Sequence, residues 1–154
     1  MKDSSRLGWF WVVAQIALLA LLLLSPAGSR WAVLHPLYPI GAILSWAGLA
    51  LLAASALNLG RSLTPLPAPK AAAQLKTDGL FRFVRHPIYS GVMLWAIGFA
   101  VSSGGLRHLL LTVLLCLFFN AKARHEEKLL RQKFPNYDAY AARTPRFIPD
   151  FRKR

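Results

Sequence analysis

Between Leu7 and Leu24 the chain runs eighteen residues without a charged side chain, and between Leu37 and Leu59 it does so again for twenty-three. At ~1.5 Å per helical residue, such runs match the ~30 Å hydrocarbon thickness of a bilayer. A helix satisfies its own backbone polar groups, so a segment of this kind can cross lipid where other structures cannot. Composition agrees: 55% of the 154 residues are hydrophobic, and the mean hydropathy is +0.40. Nineteen Lys and Arg against six Asp and Glu leave a formal charge of +13. The basic residues flank the apolar runs, as anchors facing anionic lipid do, so membrane lipid rather than nucleic acid is the expected partner. The single cysteine, Cys116, lies within an apolar run, which excludes an internal disulfide or a thiol-based metal site. No metal is expected.

The first run follows a short cationic lead, Met1 to Arg6. A signal peptide is its rival reading, since Ser25-Pro26-Ala27-Gly28-Ser29 is small and turn-like. The run exceeds a usual signal core, and Trp9 and Trp11 suit an interfacial belt, so a retained helix is expected. In the second run Gly41, Ser45, Gly48 and Ala53 offer small surfaces for close packing. Gly60 to Lys76 does not span: Pro65, Pro67 and Pro69 remove donors and favour an extended strip, with a brief turn over Lys70 to Lys76. Ile88 to Leu106 and Leu109 to Ala121 form two further apolar runs, joined by a tight hairpin at Ser102-Ser103-Gly104-Gly105 with Arg107 and His108 on the connection. The last run is short, and Lys122 is expected to extend it by snorkelling. The fold class is all-α: an integral membrane bundle of about four transmembrane helices plus a cytoplasmic C-terminal helix and tail. The distribution of Lys and Arg places both termini and the central basic loop in the cytoplasm, as for a bacterial inner-membrane protein.

Polar chemistry gathers at two places. Thr77 to Gly91 is cationic yet leads straight into an apolar run, with Arg85 and His86 just before Pro87 and Tyr89 just after it. Proline favours a first helical turn, so a guanidinium and an imidazole should stand at a helix mouth. The second place is Lys122 with Glu126 and Glu127, where one-third of the acidic residues sit side by side. Ion pairing of Glu127 with Arg131 at i,i+4 is the plainer reading of one of them. Leu129, Leu130 and Phe134 then make a narrow apolar stripe on a helix leaving the membrane. Pro135-Asn136 breaks it, Tyr137 and Tyr140 share a face of a short helix, and Arg143 to Pro149 is an extended tail.

The order Gly79-x-Phe81-x-x-x-Arg85-His86-Pro87-x-Tyr89-x-Gly91, an apolar hairpin, Glu126-Glu127-x-x-Leu130, Phe134-x-x-Tyr137-x-x-Tyr140 and Arg146-x-x-Pro149 resembles the isoprenylcysteine carboxyl methyltransferase family, in the wider group of membrane phospholipid methyltransferases. The resemblance spans about Thr64 to Pro149 and leaves the first two helices unsigned. It implies an integral membrane enzyme that moves a methyl group from S-adenosylmethionine to an apolar or lipid-like acceptor: an isoprenylcysteine carboxylate, a lipid or a small thiol. It divides the single membrane domain into residues 1–59, two N-terminal helices, and 60–154, the cofactor-binding region. Carried over residue by residue, Leu75, Phe81, His86, Pro87, Tyr89 and Glu126 match cofactor-contacting positions, with Arg85 and Glu127 beside them. His86 and Lys122 are the catalytic candidates. Lys122 stands where the family places an arginine near the substrate, and Phe81 where tyrosine is common, so a guanidinium fork and a phenolic hydroxyl are both missing.

The residues suit that cofactor. A glutamate can accept bonds from its ammonium or ribose, Arg85 or His86 can answer its carboxylate, and Phe81 or Tyr89 can face its sulfonium. An acceptor that must lose a proton has His86 or His125 as its base candidates. Two other functions compete. A membrane sterol-reductase-like enzyme would use a nicotinamide cofactor, NADPH, and a non-enzymatic scaffold would only bind anionic lipid.

Overall fold

A computed structural model describes residues 2–26, 36–60, 64 and 74–150. Among these residues are five α-helices: α1 (Lys2–Leu24), α2 (Tyr38–Leu59), α3 (Pro87–Ser103), α4 (Leu106–Lys133) and α5 (Tyr137–Arg143), with a 3-10 turn at Gly79–Arg82 ahead of α3. The connection expected over Arg30 to Pro36 and the proline strip of Gly60 to Lys76 lie largely outside the described residues.

Local chemistry explains the boundaries. Pro39 and Pro87 sit in the first turns of α2 and α3, where a missing N–H costs nothing. Gly104 ends α3 in the left-handed region at φ 63°, a conformation that a residue with a Cβ rarely adopts. The reversal therefore falls on Gly104-Gly105, and Ser102 and Ser103 are still helical. Phe134, forced extended by Pro135, stops α4.

Among the described residues, three helices are long and apolar enough to cross a membrane: α1 over Leu7–Leu24, α2, and α4. The fourth apolar run and the helix expected to leave the membrane are one continuous helix of 28 residues, so no break separates Ala121 from Lys122. Arg107 and His108 likewise belong to its first turns, not to a connection. His108 is buried; its Nδ1 lies 2.8 Å from Ser103 Oγ and its Nε2 3.0 Å from the Ser25 carbonyl, which ties the end of α1 to the hairpin. At 17 residues α3 is the shortest of the apolar helices, about 25 Å long.

The helices alternate in direction. α2 lies antiparallel on α3, α3 on α4, and α4 on α1, where Trp11 meets His125 and Gln15 meets Lys122. Leu22, Val92, Ala96, Leu115 and Phe119 form the core between α1, α3 and α4. Large apolar side chains such as Ile43, Trp46 and Leu57 face outward, as expected of helices solvated by lipid tails. Glycines line the closest approach of the α2–α3 seam. Gly41 faces Gly98, and Gly48 faces Gly91, so close that an added Cβ at either α2 position would stand 2.7 Å from a backbone oxygen of α3. Gly41, Ser45 and Gly48 thus serve the packing expected of them; Ala53 does not, since it is exposed.

Candidate active site

The start of α3 and the last third of α4 are antiparallel neighbours and end at the same height. His86 is the N-cap of α3, and its ring is buried between the two adjacent carboxylates of α4. Nε2 lies 3.2 Å from Glu127 Oε1, and Nδ1 lies 3.6 Å from Glu126 Oε2. The ring stacks face to face on Tyr89, one turn on, with centroids 5.3 Å apart and planes within 2°. The Tyr89 hydroxyl donates to Glu126 Oε2 at 2.9 Å. Pro87, also buried, holds this corner of backbone rigid.

Two neighbouring glutamates have therefore been put to different uses. Glu127 is 1% exposed and ringed by cations. Arg85 donates to its Oε1 from Nε (3.2 Å) and Nη2 (3.1 Å), and Arg146 donates to Oε1 from Nε and to Oε2 from Nη2, both at 2.8 Å. The i,i+4 pair expected between Glu127 and Arg131 is not made. Arg131 instead donates to Asp138 at 2.7 Å across the α4–α5 turn, because Glu127 points inward to guanidinium groups it can neutralise. Glu126, with its side chain 25% exposed, keeps an open edge. Its closest partners are the Tyr89 hydroxyl and the His86 ring.

The tail folds back over this corner. After α5 the backbone pairs with the entry to α3: Arg85 N–H donates to the Pro145 carbonyl (2.9 Å) and His86 N–H to that of Arg146 (3.1 Å). Ser90 Oγ donates to the Phe147 carbonyl at 2.8 Å. Arg85 Nη1 reaches the carbonyls of Ala141 (2.7 Å) and Thr144 (2.9 Å), so the side chain latches tail and carboxylate together. The Tyr140 hydroxyl, held protonated by burial, donates to the Phe81 carbonyl at 2.5 Å and anchors α5 on the 3-10 turn. Phe81 itself is buried.

Lys122 corrects one expectation. It does not snorkel, for it is 2% exposed inside the bundle, where Nζ donates to Gln15 Oε1 of α1 at 2.6 Å. The ammonium also lies 5.5 Å from the centre of the Tyr89 ring. It thus stands one helical turn deeper than Glu126, on the membrane side of the corner. Leu75 lies partly buried in the approach to the 3-10 turn, with no hydrogen bond or ring contact to the cluster among the described residues. Of the other sequence candidates, Arg85, His86, Tyr89, Glu126 and Glu127 meet directly, and Phe81 and Pro87 frame them.

Arg146, Asn120 and Gln15 are the members that sequence reasoning missed. Arg146 had been noted only as part of the tail motif; it joins Glu127 and also donates to Asn120 Oδ1 at 2.9 Å. Asn120 and Gln15 each carried a signal, a polar side chain within an apolar run. Tyr137 adds a buried hydroxyl that has no hydrogen-bond partner among the described residues.

Curated proteins resemble this chain over about half its length. Rice "probable protein-S-isoprenylcysteine O-methyltransferase" is 37% identical over 78 residues, covering 49% of this chain and 41% of that protein. Protein-S-isoprenylcysteine O-methyltransferase of Schizosaccharomyces pombe is 36% identical over 77 residues, 49% of this chain and 33% of its own length. Nickel-cobalt-cadmium resistance protein NccN of Alcaligenes xylosoxydans is 31% identical over 81 residues, 52% and 38% respectively. The chain thus spans less than half the length of these curated relatives. The description of the phospholipid methyltransferase family matches residues 36–137, which include α2, the 3-10 turn, α3, α4 and the start of α5. With two-thirds of its length inside that match, the chain belongs to the phospholipid methyltransferase family.

Proposed function

We propose that this protein is an integral membrane methyltransferase that takes its methyl group from S-adenosylmethionine and passes it to an apolar or lipid-like acceptor reaching the site from the bilayer. The observation that carries the reading is the division of labour between the glutamates. Glu127 is saturated by protein cations and closes the tail, whereas Glu126 presents a carboxylate edge beside an aromatic face and a buried histidine. The residues fit the cofactor by their chemistry. Glu126 accepts hydrogen bonds from its ammonium or ribose, and the stacked His86 and Tyr89 rings supply a polarisable wall for a sulfonium.

When bound, S-adenosylmethionine supplies an electrophilic methyl group. The protein's part is alignment and exclusion of water, since an in-line displacement needs little acid–base help. The tail over Arg85 and His86 excludes water from one side, and Phe119 packed on Tyr89 excludes it from the other. Lys122 provides a buried positive charge toward the membrane, which favours an acceptor with an anionic or strongly polar oxygen or sulfur. His86 holds Glu126 in place and is the base candidate for an acceptor that must lose a proton. Residues 60–154 carry these functions, with α1 contributing Gln15.

Replacing Glu126 by glutamine keeps the shape and removes the charge. Losing a charge-assisted bond should weaken S-adenosylmethionine binding by about 1.5–3 kcal/mol, roughly 10- to 150-fold in Kd. Calorimetry on the purified protein in detergent checks this, and parental affinity in the variant would sink the assignment. Titrating the parent with NADPH in parallel tests the reductase alternative directly.

The same reading sets four membrane helices with both termini and the site on the cytoplasmic side, α3 being the shortest. Its support is the alternation of helix direction, which brings the basic ends of α3 and α4 together. In a Cys116→Ser background, Arg107→Cys should react with an impermeant thiol reagent from outside and Asn136→Cys only after lysis. The opposite labelling would invert the topology.

A further inference from the structure

Beside the folded-back tail lies a cavity of about 600 Å³, lined by residues of the 3-10 turn, α5 and the tail. Arg82 of the 3-10 turn and Arg143 of α5 both line it, with Thr77 and Asn136 beside them. Asp150 is the one carboxylate among its lining residues, so the cavity is net positive. Both guanidinium groups are on exposed side chains: Arg82 spreads over the Phe83 ring at 5.2 Å, and Arg143 is steered by an Nε bond to the Ala139 carbonyl at 3.2 Å. None of His86, Tyr89, Lys122, Glu126 or Glu127 lines it. Two arginines with hydroxyl and amide groups around a concave space make a phosphate-type recognition set, because guanidinium forks match tetrahedral oxyanions.

The walls of this cavity are also the parts that hold the tail down. Tyr140 lines it and anchors α5 on Phe81, while Thr144 and Pro145 line it and present their carbonyls to Arg85. We propose that the cavity binds the phosphate group of an anionic phospholipid at the membrane surface, and that the bound headgroup braces the tail over the site. The placement at the surface rests on the membrane reading above. The cavity and its charge do not. An anionic headgroup bridging Arg82 and Arg143 joins the 3-10 turn to α5, the same two elements that Tyr140 joins from within. Closure of the tail then depends on the lipid composition around the protein.

The test uses the full chain in a mild detergent, with bound lipid counted by native mass spectrometry. Phosphatidylglycerol should be retained as one tight adduct, with affinity reduced roughly tenfold or more in the double variant Arg82→Gln/Arg143→Gln. Arg124→Gln/Lys128→Gln, which removes equal charge from exposed positions on α4, should leave it unchanged. Equal loss in both variants, or none in either, overturns the site in favour of diffuse attraction by the +13 chain. Phosphatidylcholine retained equally well overturns the anionic preference. Displacement by millimolar inorganic phosphate overturns the lipid assignment in favour of free phosphate. Amide exchange at Arg85 and His86 should slow when phosphatidylglycerol binds; an unchanged rate overturns the bracing. Phosphatidylglycerol retention does not require cofactor, so a chain that holds the lipid but binds no S-adenosylmethionine would refute the methyl-transfer reading and leave this one standing.

Discussion

Glu127→Gln should release the C-terminal tail. The substitution is nearly isosteric but leaves Arg85 and Arg146 against each other without their counter-charge, in a place where Arg85 is only 11% and Arg146 only 27% exposed by side chain. Breaking a buried ion pair by removing one partner costs about 3–5 kcal/mol. The lower end is expected here, because Arg146 can turn toward water. Loss of the Arg85 latch also loosens the bonds to Ala141 and Thr144 that hold the end of α5. Limited trypsin digestion should cut at Arg143 and Arg146 much faster in the variant, with a lowered midpoint of thermal unfolding in detergent. Glu126→Gln should leave both readouts near the parent, since Glu126 bonds to Tyr89 and not to the tail. Parental proteolysis and melting of Glu127→Gln would mean that the tail is held without the Glu127 carboxylate, by backbone pairing and the Ser90 and Tyr140 bonds.

A comparable loss is expected from Gly48→Leu, by a different mechanism. Its Cβ would stand 2.7 Å from both the Gly91 carbonyl oxygen and the Trp95 Cα, which are backbone atoms with no way to step aside locally. Overpacking of this kind costs about 1–3 kcal/mol or more. Within lipid no hydrophobic driving force offsets it, because lipid tails solvate the helix faces as well as a neighbouring helix does. α2 should separate from α3, carrying the unfolding midpoint down and disturbing the His86–Tyr89 corner at the start of α3. Leu57→Ala, at a side chain 82% exposed on α2, is the control and should change stability by less than ~0.5 kcal/mol. Equal midpoints for the two variants would show that the glycine seam is not what holds these helices together.

The partner of each glutamate was where sequence reasoning was weakest. Glu126 and Glu127 differ by one position, and spacing along α4 offered Arg131 to Glu127 at a helical i,i+4 distance. What overrides that local pairing is the tail: Arg146, nineteen residues away, and Arg85, forty-two away, bring two guanidinium groups into a buried space that only Glu127 faces. Lys122 fails in a related way. Snorkelling presumes a route to water, but Lys122 is 2% exposed and Gln15 of α1 supplies the bond instead. The resemblance covered the C-terminal half of the chain, so nothing in it pointed to α1. His108 was assigned to a loop by its polarity, yet two hydrogen bonds satisfy it inside the bundle.

By itself the sequence determined the all-helical membrane class, the apolar runs and the two polar groups that interrupt them. Uncharged runs of bilayer length leave few options but helices, because lipid offers no partner to an unpaired backbone group. Pro87, Gly104 and Pro135 punctuate the chain through restrictions on φ and on backbone donors that hold in any context. The Arg85-His86-Pro87 and Glu126-Glu127 groups were legible because charge beside an apolar run is costly and so conspicuous. Only the tertiary structure decided which carboxylate closes the tail and which keeps an exposed edge, that Lys122 is buried against α1, and that the tail walls a basic cavity. Those outcomes depend on side chains distant in sequence meeting at one point. Burial then raises the strength of each electrostatic contact well above anything that local spacing records.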